Sequence, residues 1–308
     1  MHYTGNPTAG LRLGNDGFAV IDIGSNSVRM VIYDITRKIP VQVYNNKSFC
    51  ALGRDLDRTG LLDRDGIDHA IKTIANYLGV IADFRVSNVR IVGTAPLREA
   101  QDAAEFIEAV KRETALDIRV LGGDEEAVYA AMGVLALEPG AEGVVADFGG
   151  GSLELARITN GKIKNTVSLP VGAFRIEAMG REAENQLRGS FDALVPQFGR
   201  SEMFYSIGGA WRALAQAHLM KYTGQSKGLQ GYEILLADII RFCELIEGAS
   251  EEEIKQLYGL EGHRAKYAPL SALALRLLMQ SLKPRVFITS TAGVRDGLLK
   301  EFLSQRSG

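Results

Sequence analysis

Apolar residues change their spacing along the chain, and the changes mark out its elements. Residues 18–23 and 143–148 are short runs of mostly apolar, β-branched side chains and predict buried strands, each closed by an Asp. A glycine-bearing turn follows each run. Second strands are then expected over 28–34 and 153–158, and third strands over 41–51 and 163–169, the last entered through the hairpin Thr159-Asn160-Gly161-Lys162. After the first triplet the spacing changes: Ile67, Ala70, Ile71, Ile74, Ala75, Leu78 and Ile81 recur at three and four residues and predict a helix over 64–84. A strand over 89–93 leads through residues 94–98 into a helix reaching Arg112. A strand over 117–121 then precedes a helix opening at Gly122-Gly123-Asp124-Glu125-Glu126. Further strands are expected over 203–207, before Gly208-Gly209 and a helix at Trp211, and over 285–288, before a terminal helix. The order strand, turn, strand, turn, strand occurs twice.

Length supports the duplication, since 308 residues are about twice a domain of roughly 150. Residues 1–16 read as a flexible leader, 17–140 as one domain and 141–308 as a second, with a cleft between them and the terminal helix packing back on the first. Pro139-Gly140 sets that boundary by breaking the preceding helix. An apolar content of 46% and a charged content of 23% are those of a globular chain with sizeable cores. A formal net charge of −2 gives no general attraction to nucleic acid or to a membrane surface. Cys50 and Cys243 are the only cysteines and form no ligand pattern, which argues against a disulfide framework or a zinc site and fits a reducing cytoplasm. No run reaches the roughly 18 apolar residues of a membrane span, and the first residues do not read as a signal peptide.

The two turns carry the chemistry. Glycine lets backbone N–H groups approach an anion, and hydroxyls beside it add donors. Gly24, Ser25, Asn26 and Ser27 form one such phosphate-binding candidate, Gly149, Gly150, Gly151 and Ser152 another, and Gly208 with Gly209 a third. Each could also be a structural turn; the pairing of the first two favours phosphate. Asp147, with Glu154 on the next strand, is a candidate metal anchorage, and Asp22 holds the matching place in the first half. Few carboxylates suit magnesium, which keeps waters and takes phosphate oxygens. Arg98 can fork onto phosphate at a strand-to-helix junction; Arg175 and Arg295 are weaker candidates. Lys221, Lys227, Arg264 and Lys266 are possible residues of a basic track. Asp124, Glu125 and Glu126 complement a helix N-terminus, and composition does not choose a base among them.

Taken in order, residues 19–27, Gly93-Thr94-Ala95-Pro96-Leu97-Arg98, Asp124-Glu125-Glu126-Ala127, residues 147–154, Gly172-Ala173-Phe174-Arg175 and Ile207-Gly208-Gly209 resemble the exopolyphosphatase / guanosine pentaphosphate phosphatase family. The resemblance runs from about Gly17 to the C-terminus. It implies an α/β fold of two ribonuclease H-like, actin-like domains with the active site in the interdomain cleft. It also implies magnesium, with manganese as the alternative, and a homodimer; the apolar stretch 270–279 serves as well for a core as for an interface. Of the three acids it selects Glu126 as the general base. The expected activity is removal of terminal orthophosphate from polyphosphate, or of the 5′-γ-phosphate from guanosine pentaphosphate, by a water that Glu126 activates. Competing readings are an ATP-dependent kinase of the same superfamily and a non-catalytic nucleotide-binding module. Longer relatives add a helical domain for which this chain leaves no room.

Overall fold

In the computed structural model, which describes residues 11–307, the chain divides into two compact units at Gly122 and Gly123. The first unit opens with three strands, β1 (Gly17–Ile23), β2 (Ser27–Asp34) and β3 (Val41–Phe49). These are followed by α1 (Leu56–Thr59), α2 (Arg64–Asp83), β4 (Asn88–Gly93), α3 (Ala95–Glu99), α4 (Ala103–Thr114) and β5 (Ile118–Val120). The sheet order is β3-β2-β1-β4-β5, with β2 antiparallel to its neighbours and β4 and β5 parallel to β1. Alternate residues of β1, Ala19, Ile21 and Ile23, enter one core with Ile74, Tyr77 and Ile81 of α2, the face that the helical spacing marks. Asp63 starts that helix by accepting the Gly66 N–H at 2.7 Å.

The second unit begins with α5 (Gly123–Leu137), β6 (Gly143–Phe148), β7 (Leu153–Thr159) and β8 (Lys162–Leu169). It continues through α6 (Ala173–Met179), α7 (Ala183–Asp192), α8 (Val195–Phe198), β9 (Met203–Ile207) and α9 (Gly209–Thr223). Then come β10 (Glu233–Leu235), α10 (Leu236–Glu247), α11 (Glu251–Tyr258), α12 (His263–Leu282), β11 (Val286–Thr289) and α13 (Val294–Ser307). Its sheet runs β10-β11-β9-β6-β7-β8. Without the short antiparallel β10, the order read from β8 to β11 repeats that of the first unit, again with the second strand antiparallel and the fourth and fifth parallel. This is the duplicated α/β arrangement expected of two ribonuclease H-like units. One sheet face, with Val144, Ala146, Phe148, Phe204 and Phe287, packs on α7, α9, α10 and α12. The other meets α5, whose end is tied down where Tyr205 donates its hydroxyl proton to Glu138 at 3.0 Å.

Three boundaries differ from the sequence expectation. The units divide ahead of α5 because that helix packs on β6, β7, β8 and α13, whereas Pro139-Gly140 only ends it. The terminal helix does lie along α5, within the second unit. The helix expected to reach Arg112 is two helices. Between them Ala100 is extended, Gln101 donates to the Gly60 carbonyl at 3.0 Å and Asp102 accepts from Leu62 at 3.0 Å, and these ties to the 60–62 loop break the helix. Residues 11–16 of the expected leader are anchored, with Leu13 buried and its N–H on the Phe84 carbonyl at 2.8 Å; residues 1–10 lie outside the described residues.

Candidate active site

Each unit places its glycine turn as a two-residue hairpin loop after the first strand. Gly24 donates to the Ser27 carbonyl at 3.1 Å in the first, and Gly149 to the Ser152 carbonyl at 2.9 Å in the second. In both, a later segment ties the loop carbonyls back. Gly53 N–H binds the Ser25 carbonyl at 2.9 Å, and Cys50 and Ala51 bind that of Asn26 at 3.1 and 3.0 Å; Ala173 and Phe174 bind those of Gly149 and Gly150 at 3.3 and 2.9 Å. Each of these bonds engages a lone pair of a loop carbonyl, which lessens the repulsion an anion would meet there. Ser25 and Ser152 are buried, and the Asn26 Oδ1 is buried without a hydrogen-bond partner.

The strand registers separate the two turns chemically. Asp147 on β6 stands directly opposite Glu154 on β7, whereas Asp22 on β1 stands opposite Arg29 on β2. Residues directly opposite in an antiparallel pair point to the same face, so the second unit juxtaposes two carboxylates where the first sets a guanidinium beside one. Glu154 is only 2% exposed and accepts the Ser168 hydroxyl at 2.8 Å. Among the described residues, no group of three or more His, Cys, Asp or Glu is arranged to hold a metal ion. Asp147 with Glu154 is therefore the acidic pair to consider, with Asp22 beside Arg29.

Gly208 brings bare backbone against that pair. Its φ of +96° suits glycine. A Cβ there would collide with the Phe148 carbonyl and sit 3.0 Å from Asp147 Oδ1. Gly209 then opens α9, whose N-terminus has no side-chain cap. Trp211 fixes the start of this helix by stacking on Phe148 at 4.8 Å and donating to the Ser271 carbonyl at 2.9 Å.

Glu126 lies in the first turn of α5 and is 8% exposed, with Asp124 and Glu125 preceding it. The short 138–142 connection brings the end of α5 to the start of β6. The first turn of the helix therefore lies toward the other end of that strand, where Asp147 is. Arg98, on α3, donates to the Leu121 carbonyl at 2.8 Å, two residues before α5 begins. Two of the possible track residues are engaged elsewhere: Lys266 pairs with Glu177 at 2.8 Å, and Lys221 lies 4.9 Å over the Tyr258 ring. Cys50 and Cys243 are free thiols in the interior. Sequence reasoning named Gly172 only within a family motif and gave it no role, yet the Gly150-Gly151 backbone rests on its α-carbon; it passed over Arg212, one helical turn beyond Gly208.

Comparisons with known proteins bear on the family and the fold. A model of the Ppx/GppA phosphatase family matches residues 31–306. The chain is 23% identical over 313 residues to Exopolyphosphatase 1 of Mycobacterium tuberculosis, covering 94% of this chain and 87% of that protein. It is 25% identical over 298 residues to the guanosine-5′-triphosphate,3′-diphosphate pyrophosphatase of Vibrio cholerae, and the match spans 93% of this chain but 59% of that protein. A solved Aquifex aeolicus member of the Ppx/GppA family superposes with a TM-score of 0.81 at 25% identity, covering 95% of this chain and 99% of that one. An exopolyphosphatase structure from Cytophaga hutchinsonii shares the fold, with a TM-score of 0.85 at 22% identity and coverage of 94% and 98%.

Proposed function

The chain belongs to the Ppx/GppA phosphatase family, and from that premise we propose that it is a phosphoanhydride hydrolase releasing terminal orthophosphate from inorganic polyphosphate, with guanosine pentaphosphate as a second substrate. The observation that carries the reading is the placement of three carboxylates in one unit. Glu126 is buried in the first turn of a helix packed on β6, β7 and β8, and Asp147 faces Glu154 across the first two of those strands.

In this reading the N–H groups of Gly150, Gly151 and Ser152 and the Ser152 hydroxyl, together with the backbone at Gly208 and Gly209, hold phosphate oxygens, while Gly149 closes the turn, and the 24–27 turn binds phosphate in the first unit. The carboxylate of Glu126 accepts a proton from water as the water oxygen attacks the terminal phosphorus. The bridging P–O bond breaks, and the shortened chain leaves with its electron pair. Arg98 steadies the chain leading into α5 through the Leu121 carbonyl.

Magnesium fits the donor set: two facing carboxylates are few enough for an ion that keeps waters and takes phosphate oxygens, and Asp147 and Glu154 would hold it. When bound, it supplies neutralisation of the phosphate charge. Asp22, opposite Arg29, is better suited to orienting that guanidinium than to a metal.

The buried free thiols accord with a reducing cytoplasm. Among the described residues no helix is long and apolar enough to cross a membrane. Measurement of kcat/KM for phosphate release from polyphosphate and from guanosine pentaphosphate tests the reading. Turnover of polyphosphate with magnesium supports it; ADP formation from ATP and an added acceptor, without phosphate release, would replace it with a kinase.

A further inference from the structure

The first turn of α9 contains a guanidinium that the chemistry described so far leaves unused. Arg212 follows Gly208 by four residues, and its N–H closes the first turn on the Gly208 carbonyl at 3.2 Å. A helical side chain leans back toward the N-terminus of its helix, which directs this one to the end of α9 that Gly208 presses against Asp147. Arg212 as a whole is half-buried, but its Nε is buried and has no hydrogen-bond partner. The charges acting on it are those of Asp147 and Asp296, which favour its cation, and of Arg295 and Arg264, which oppose it. Asp296 is itself engaged, accepting the Gly293 N–H at 2.9 Å.

A buried Nε–H without an acceptor is costly, and the guanidinium cannot relieve the cost by losing its proton under ordinary conditions. The uncapped N-terminus of α9 adds backbone donors and the positive end of the helix dipole at the same place. An oxyanion meets all of these demands together, and a carboxylate-only metal site meets none of them.

We propose that Arg212 is a substrate-binding residue whose Nε–H donates to a phosphate oxygen of the polyphosphate chain at the N-terminus of α9. This rests on the hydrolase reading for the identity of the ligand and not for the existence of the anion site. A guanidinium at this point holds the phosphate while the neighbouring carboxylates attend to the ion, so that the two charges are handled by different groups.

Titration calorimetry with diimidotriphosphate, whose P–N–P bridges resist hydrolysis, tests it in the presence of magnesium. Arg212→Met should weaken binding roughly 10- to 100-fold, the range for a hydrogen bond to a charged group, while the ligand-free variant melts no lower than the parent. Arg212→Lys should recover only part of the affinity, because an ammonium lacks the fixed fork. An affinity for Arg212→Met within about twofold of the parent would overturn the inference, as would absence of binding by the parent. If Arg212→Met does not fold, Arg212→Gln carries the same comparison; loss of folding in both makes the residue structural and also overturns it. The two readings fail separately. Phosphate release with Arg212-independent binding removes only this inference, and Arg212-dependent binding without phosphate release removes only the hydrolase.

Discussion

Asp147 and Glu154 face one another across β6 and β7, and the duplicated position in the first unit pairs Asp22 with Arg29. The copies thus keep the hairpin while dividing its chemistry. Glu154→Gln should raise the magnesium concentration needed for half-maximal response by about 10- to 100-fold, and Asp22→Asn should leave it nearly unchanged. Trp211 is the only tryptophan and stacks on Phe148, beside Asp147, so a magnesium titration of its fluorescence reads binding without turnover. Equal shifts in both variants would contradict the assignment.

Gly172→Ala should damage the second phosphate turn from behind. The Gly150-Gly151 backbone occupies the space that a Cβ at residue 172 would take, so the turn or the start of α6 must move. Overpacking of this kind destabilises by about 1–3 kcal/mol. The expected result is a lowered melting temperature together with weaker substrate binding in steady-state kinetics; an unchanged KM would demote the turn to a structural element.

Helices α5 and α13 cross at van der Waals contact between backbones. A Cβ on Gly133 would strike the Gly293 carbonyl, and one on Gly297 would strike that of Tyr129. Gly297→Ala should lower unfolding stability by about 1–3 kcal/mol, read in urea. Because α5 also carries Glu126, kcat should fall more than KM rises.

Much of this architecture was legible in the sequence. Strand, turn and strand recur because β-branched runs end at Asp-x-Gly or Asp-Phe-Gly, and the hairpin at Asn160-Gly161 has both central residues at positive φ, as that dipeptide favours. The region from α10 to α12 was less legible. Buried positions of α12, among them Ala265, Ala268, Ser271, Ala272, Ala274 and Leu275, wrap around much of its circumference, so no single apolar stripe marks it, and Pro269 lies inside it. Acidic residues were found individually, but their pairing is a matter of register. Arg212 resembled any other helical arginine; only burial and the missing partner at Nε distinguish it.

Stability should respond to pH through His218. Burial is the main influence on this ring and lowers its pKa; Asp238 acts the other way more weakly. One ring nitrogen lies 2.9 Å from the Tyr232 hydroxyl. With the folded pKa below that of the unfolded chain, the unfolded state binds the proton more readily. The contribution is therefore present above about pH 6.5 and is lost as pH falls through the folded value. Urea unfolding of the parent should show a stability loss between about pH 7 and 5 that is smaller in His218→Gln. Equal losses would exclude His218 as a source.

The proposed mechanism makes hydrolysis depend on Glu126. Phosphate release from polyphosphate by Glu126→Gln, measured beside diimidotriphosphate binding to the same protein, tests this most directly. Glutamine keeps the shape but cannot take the proton from water, so turnover should fall by about 10²- to 10⁴-fold with affinity close to that of the parent. Turnover near the parental rate would contradict the account and move the base elsewhere.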